Sequence, residues 1–466
     1  MVGTFWRLIL VCALAVPACK RKSDKSESFG AVRRAEAPVA SAQVGAAVPA
    51  GSLAAASFRY RFAVYTEQAL TPAARHELAQ LTAAAGFTLV DAKANLDAPP
   101  TPTSVSWKLP AISDWAAPKL ESLAYAGKAL SDDEKHKLAA SQGVLTVEVV
   151  GKAARALQDY RTALTLSRDL ARKLNGFLWD DETRTADTVE SWSRRLDSWK
   201  DGIPDLEQHV ALDAYRDGEL IRLVSLGMIK FGLPDVCLNR LASNDQRTLA
   251  SLANLTLQIV LEQQKLDGPG LLHASFDRVK HPDAREKLGS NPKANAQRKL
   301  DLTLLEGKLE EGDADNRLLE IAFPGPESSL QERHAEAIKQ LFGTEDSISY
   351  IEHDEAIEAA SRRARAQAFK LRPRFAKVAP VGEQLEVKVP FATPAGGNEY
   401  MWVEVISWKG KTITGLLDND PFEIPTLKAG ARVEVDADQI FDYTWKKADG
   451  TEVGNETGAL IEKRAP

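Results

Sequence analysis

The chain has 466 residues, 44% of them hydrophobic and 27% charged, a globular composition long enough for two or three cores. Its 59 basic residues against 65 acidic ones leave a net charge of -6, which argues against the concentrated basic footprint that broad nucleic-acid binding needs. No nucleic-acid partner is expected.

The first residues carry the sharpest signal. A weakly basic start from Met1 to Arg7 precedes an apolar run that begins at Leu8, and Val16-Pro17-Ala18-Cys19 closes it. The run from Leu8 to Ala18 is 11 residues, about half of the ~20 that a spanning helix requires. It therefore reads as an export signal rather than a membrane span. Its last four residues resemble the lipobox of bacterial lipoproteins, with Val16 at the aliphatic position, Ala18 at the small one and Cys19 at the modified one. The resemblance implies a lipoprotein signal peptide over 1–18 and membrane attachment through acylated Cys19, since each buried methylene contributes about 0.8 kcal/mol and several chains anchor almost irreversibly. Lys20 follows in place of the aspartate that retains Gram-negative lipoproteins in the inner membrane. By that resemblance an outer-membrane site facing the periplasm is expected, with a secreted or inner-membrane-anchored protein as the alternative. Cys12 falls in the signal, so Cys237, in the apolar stretch "LPDVCLNRL", is the one cysteine left besides Cys19. It is expected to be a buried small hydrophobe.

From Lys20 to Ser57 the chain is rich in Lys, Ser, Ala, Pro and Gly without periodicity. Residues 19–57 are read as the lipidated cysteine and a disordered tether, with a root-mean-square span of roughly 35 Å. A strand-like run, "FRYRFAVYT" (Phe58–Thr66), opens a folded region expected to cover 58–268. Thr71, Pro72 and Gly86 punctuate a following helix. A strand near Thr103 to Leu109, a helix around Ala116 to Ala126, the strand "GVLTVEVVG" and a long helix from Lys152 to Leu174 come next. The alternation suggests an α+β sandwich of ferredoxin-like kind. Leu249, Leu252, Leu255 and Ile259 form a helical stripe that should be core.

Residues 269–350 read as a connecting α/β region. Pro269 to Lys299 lack periodicity, a hairpin is expected around Gly312 and Asp313, and a helix from about Glu327 to Phe342. The helix from Asp354 to Leu371 carries Arg362, Arg363 and Arg365 on a basic face, suited to its own dipole or to an acidic partner.

The final region, 352–463, is rich in strands. "QLEVKVPF" and "ARVEVDADQI" alternate with a period of two, and their Gly and Pro turns predict a small antiparallel β-barrel-like domain. Gly410-Lys411-Thr412 imitates the end of a phosphate loop, but the position five residues before Gly410 is Val405 and the flanks are both strand-like. A hairpin is expected instead. In its first strand Val403 and Val405 point one way while Trp402, Ile406 and Trp408 point the other. Those three are the candidate partner-binding residues, with the preceding helix or the first domain as the alternative cover.

"LEVKVPF", "GGNEYMWVEVI", "ITGLLDNDP", "LKAGARVEVDADQIFDY" and "GNETG" resemble the YegJ-like proteins, which carry domain of unknown function 2314. The resemblance spans about Glu352 to Lys463 and implies no activity. Elsewhere, chemistry is sparse. The seven histidines form no metal spacing, and no cofactor, metal or catalytic residue is assigned. Asp180, Asp181 and Glu182 after Trp179 are the densest carboxylates beside an aromatic residue, read as a solvated turn rather than an acid–base pair. The sequence thus predicts a cell-envelope lipoprotein that binds a protein partner or ligand. An envelope hydrolase with a carboxylate site, or a purely structural component, is the alternative.

Overall fold

The computed structural model describes residues 33–34, 45–70, 74–89, 102–113, 115–290, 292–293, 295–326, 329–344, 354–376, 380 and 382–463. The expected signal peptide, Cys19 and much of the tether lie outside them. The architecture is mixed α+β, with three large sheets.

The first sheet is built on β1 (Ser57–Thr66). Its alternation buries Phe58, Tyr60, Phe62 and Val64 on one face and Ala63 and Tyr65 on the other. A strand apolar on both sides must be covered on both sides. Helices α1 (Ala74–Ala84) and α4 (Ala156–Leu174) lie on the first face, α2 (Leu120–Ala126) and α3 (Asp132–Ala139) on the second. The strands β2 (Ser104–Lys108), β3 (Gly143–Lys152), β4 (Phe177–Asp180) and β5 (Thr185–Asp187) complete the sheet in the order β2-β3-β1-β4-β5, with the short strand Thr88–Leu89 outside β2. β3 is antiparallel to both β1 and β2, and β1 is antiparallel to β4.

After α5 (Val189–Asp197) the chain forms a second sheet from β6 (Ala211–Asp217), β7 (Leu220–Leu226), β8 (Asp235–Leu241), β9 (Leu271–Ser275), β10 (Lys299–Glu306) and β11 (Leu318–Ala322), ordered β6-β7-β8-β11-β10-β9. Helix α6 (Gln246–Gln263) buries the predicted stripe Leu249, Leu252, Leu255 and Ile259. One apolar core runs from Tyr60 and Phe62 of the first sheet to Leu304 and Ile321 of the second. The region 269–350 is therefore not a connection. It contributes β9, β10 and β11, half of the second sheet, together with α7 (Pro282–Leu288) and α8 (Leu330–Phe342).

The end of the expected tether is also ordered. Gly51–Ser52 pairs with Lys265–Leu266, the Val48 amide donates to the Leu304 carbonyl at 3.2 Å, and Val48 and Leu53 are buried. These two branched side chains within a run of small residues are what secure the segment. Further upstream, Arg33–Arg34 pairs with the edge of the third sheet, with Arg33 opposite Glu434.

The third sheet follows α9 (Glu355–Leu371). Its strands are β12 (Gln384–Ala392), β13 (Asn398–Lys409), β14 (Thr412–Leu417), β15 (Arg432–Asp436), β16 (Asp442–Lys446) and β17 (Glu452–Gly454), with α10 (Glu456–Glu462) at the end. The order β15-β14-β13-β12-β16-β17 does not close, so the expected barrel is an open sheet. The reason lies in α9: Ala364, Ala368 and Phe369 pack on Leu385, Val387 and Val403, so a helix covers the apolar face that a barrel would have covered by closing on itself. Among the described residues no helix is long and apolar enough to cross a membrane.

Candidate functional site

A buried cluster of charged residues sits where the first sheet meets the second. Asp180 ends β4 and is fully buried, which corrects the expectation of a solvated turn for this residue. Alternation along the strand sends its neighbour Asp181 outward, to the Arg61 guanidinium at 2.7 Å. Asp180 accepts from Lys230 Nζ at 2.7 Å and from Arg195 at 3.0 Å, while Arg195 also binds Asp187 at 2.5 Å. The Lys230 ammonium donates in addition to the His209 carbonyl at 2.6 Å. His209 bridges Tyr160 and Ser198, with Tyr160 Oη 3.1 Å from Nδ1 and Ser198 Oγ 3.1 Å from Nε2.

Burial would raise the Asp180 carboxyl, but Lys230 and Arg195 outweigh it and hold the group below the usual carboxylate range. Burial, reinforced by Arg195 and Lys230, pushes the His209 imidazole well below its ordinary value, so the ring is neutral. Burial also lowers Lys230, against the pull of Asp180. At the rim Glu182 is pushed up to about 7 by burial and by the neighbouring Asp180. Two carboxylates, Asp180 and Asp187, face two cations, Lys230 and Arg195. The charges cancel and the partners are satisfied, which is the arrangement of a buried structural lattice.

A concave site lies nearby on the other side of Trp199. It is a groove of about 560 Å³ between the exposed flank of α4, the turn after Trp199 and the end of α6, lined by Gln158, Arg161, Thr162, Thr165, Trp199 and Gln264 among others. None of the charged residues of the buried lattice lines it. Arg161 stacks over the Trp199 ring at 5.5 Å. The groove contains no carboxylate, histidine or cysteine.

The third site is the junction between the C-terminal sheet and the rest of the molecule. Glu404 of β13 is buried and accepts from the Ser243 and Asn244 amides at 2.9 and 3.1 Å, just before α6. Asp418 accepts from the Asn244 side chain at 2.7 Å, and Glu386 from the Thr444 hydroxyl at 2.9 Å. Burial and the neighbouring carboxylates push Glu386 and Asp245 up to about 7 and raise Glu404 as well. Glu404 in turn partly offsets the burial that lowers the nearby Arg216. At the margin Arg432 pairs with Glu219 at 2.9 Å and Lys339 with Asp420 at 2.5 Å.

The predicted partner-binding strip does not share one face. A β-bulge between Val405 and Ser407 adds a residue to β13, so the alternation shifts there. Trp408 consequently joins Val403 and Val405 in the core and meets Phe369 of α9 at 5.5 Å. Ile406 packs on Leu220, Ala242 and Leu416 at the junction. Trp402 remains partly exposed, with Lys388 Nζ 5.6 Å from its ring centroid. Both covers considered for this strip, the helix and the first domain, are used, each by a different residue. The basic face of α9 is likewise engaged internally: Arg363 pairs with Glu456 at 3.1 Å and Arg365 donates to the Ile440 carbonyl at 2.7 Å.

Among the described residues no group of three His, Cys, Asp or Glu side chains is placed to hold a metal ion. Cys237 is buried, and burial pushes its thiol up to about 12. Residues 353–463, which comprise α9 and the C-terminal sheet, match a family model described as an uncharacterized protein conserved in bacteria (DUF2314). No curated protein and no solved structure matches the chain.

Proposed function

We propose that this protein is a cell-envelope lipoprotein, held by acylated Cys19 at the periplasmic face of the outer membrane, that binds a small polar molecule in the groove beside α4. The anchor rests on the apolar run that ends at Cys19. Binding rather than catalysis rests on one observation: the groove has a ligand-sized volume of about 560 Å³ yet contains no acid–base or nucleophilic group poised for reaction. Its threonine hydroxyls already donate to backbone carbonyls within α4. The buried carboxylates Asp180 and Asp187 are paired with cations in the lattice, and Glu404 accepts from two backbone amides at the junction.

Two finer readings accompany it. The C-terminal unit is read as YegJ-like, in keeping with the family model over 353–463. The first sheet is read as a ferredoxin-like unit, supported by the insertion of β3 between β1 and β2, antiparallel to both, and by the return from β3 to β4 through α4.

Fractionation tests the anchor. Cys19→Ala should release the protein from membranes or stall its processing, and an unmodified mature N-terminus elsewhere than Cys19 would overturn the assignment. The groove is tested by saturation-transfer NMR against sugars, sugar acids, amino acids and nucleotides. If no class transfers saturation in a way that Arg161→Gln weakens, the binding reading is wrong.

A further inference from the structure

The groove's hydrogen-bonding groups restrict what it can hold. Gln158, Arg161, Thr162 and Thr165 stand at i, i+3, i+4 and i+7 along α4 and so share one helix face. Thr162 Oγ1 donates to the Gln158 carbonyl at 3.0 Å and Thr165 Oγ1 to the Arg161 carbonyl at 3.1 Å. With their protons committed, both hydroxyls have lone pairs left to accept, so the ligand must bring donors. Gln158 and Gln264 make no side-chain hydrogen bond among the described residues and can both donate and accept. Arg161 is exposed, with its guanidinium over the Trp199 ring, and makes no ion pair with a carboxylate among the described residues, so its N–H groups face the groove's solvent. Trp199, 7% exposed, lines the groove beneath the Arg161 guanidinium, and its buried indole N–H has no partner among the described residues.

Resting on the binding reading above, we propose that this groove takes an acidic sugar, with the carboxylate on the Arg161 guanidinium and the ring hydroxyls donating to Thr162 and Thr165. A single arginine matches one carboxylate, which it can grip through two parallel N–H bonds. A simple carboxylic acid would fill little of the 560 Å³ and leave the threonine and glutamine groups without partners. A neutral sugar would leave the arginine unmatched. A sugar ring also has C–H groups to set against the apolar lining that Ala153, Ala154 and Leu157 supply.

The test titrates the full chain with galacturonate, galactose and acetate, by saturation-transfer NMR and calorimetry. Galacturonate should bind saturably and about tenfold or more tighter than galactose, the expected scale for a charge-assisted hydrogen bond, and acetate should bind more weakly still. Arg161→Gln should reduce galacturonate to the level of galactose, and Thr162→Val should weaken both sugars. Both substitutions are on the outward flank of α4, so the thermal transition should stay in place. Equal affinity for galactose and galacturonate, or indifference to Arg161→Gln, would overturn the proposal. If neither sugar binds while an amino acid or nucleotide does so through Arg161, the acidic-sugar assignment fails and the binding reading stands.

Discussion

The lattice around Asp180 and the junction around Glu404 both place carboxylates in the interior, but they balance them by different means. In the lattice each carboxylate meets a cation, and Lys230 and Arg195 hold Asp180 ionised. At the junction buried Glu404 accepts from two backbone amides and half-buried Glu386 from the Thr444 hydroxyl, with Asp245 close by, and burial and mutual repulsion raise all three. A compensated cluster fixes the geometry of the elements that supply it. One held mainly by hydrogen bonds, with its carboxyls raised, makes the contact between units depend on protonation. The first joins two sheets that already share a core, whereas the second joins the C-terminal sheet to its neighbour across a small apolar patch of Leu220, Ala242, Ile406 and Leu416.

The largest expected effect tests the compensated side. Lys230→Met removes one cation and leaves Asp180 buried beside Arg195 alone, which should destabilise the protein by about 3 to 5 kcal/mol in chemical denaturation. Combining it with Asp180→Leu leaves Arg195 and Asp187 as a balanced pair and should recover part of the loss. A single variant as stable as the wild type would show that the lattice is not what locks the two sheets together.

How far these regions could be read from sequence depends on periodicity. The stripe of α6, the alternation of β12 and the β13–β14 hairpin were legible because each is a local repeat that burial enforces. The open third sheet was not, since alternation is the same whether a helix or the sheet itself covers the apolar face. The bulge at Ile406 was invisible for a related reason: a period-two reading assumes no extra residue, and one extra residue moved Trp408 to the other face. The lattice draws Asp180, Arg195, His209 and Lys230 from separate elements. Its one local signal was Lys230 itself, a lysine inside the apolar run "SLGMIKFG", which must find a partner if it is buried. The groove had no signal of its own, because its residues are ordinary exposed positions of a helix until the turn after Trp199 is folded against them.

The bulge gives the next test, on the strand that joins core and junction. Trp408→Ala should cost about 3 to 5 kcal/mol, as for a buried large aromatic. Trp402→Ala, on the partly exposed face, should change stability by less than about 1 kcal/mol. Equal costs for the two tryptophans would mean that the alternation continues unbroken through Ile406 and that the bulge is absent in solution.

The smallest effect concerns pH and tests the junction. Glu386 and Asp245 lie at about 7 in the folded protein, above the ordinary carboxylate range. A carboxyl raised on folding contributes stability that is fully present below its unfolded value and is lost as pH rises through its folded one. The junction should therefore weaken as pH rises through about 7. His209 acts in the opposite sense: its depressed value contributes stability above the ordinary imidazole range that is lost as pH falls through it. Glu386→Gln removes one titrating group while keeping an acceptor for Thr444, and should flatten the alkaline side of the stability profile without altering the acid side. The change should be small, because Glu386 is one of several carboxyls raised at the junction and the others still titrate. Hydrogen exchange of the Ser243 and Asn244 amides, followed from about pH 6 to about pH 8, reports the contact directly. Protection that falls with pH in the wild type and less in Glu386→Gln would place the response at the junction, and identical profiles for the two proteins would remove Glu386 from the account.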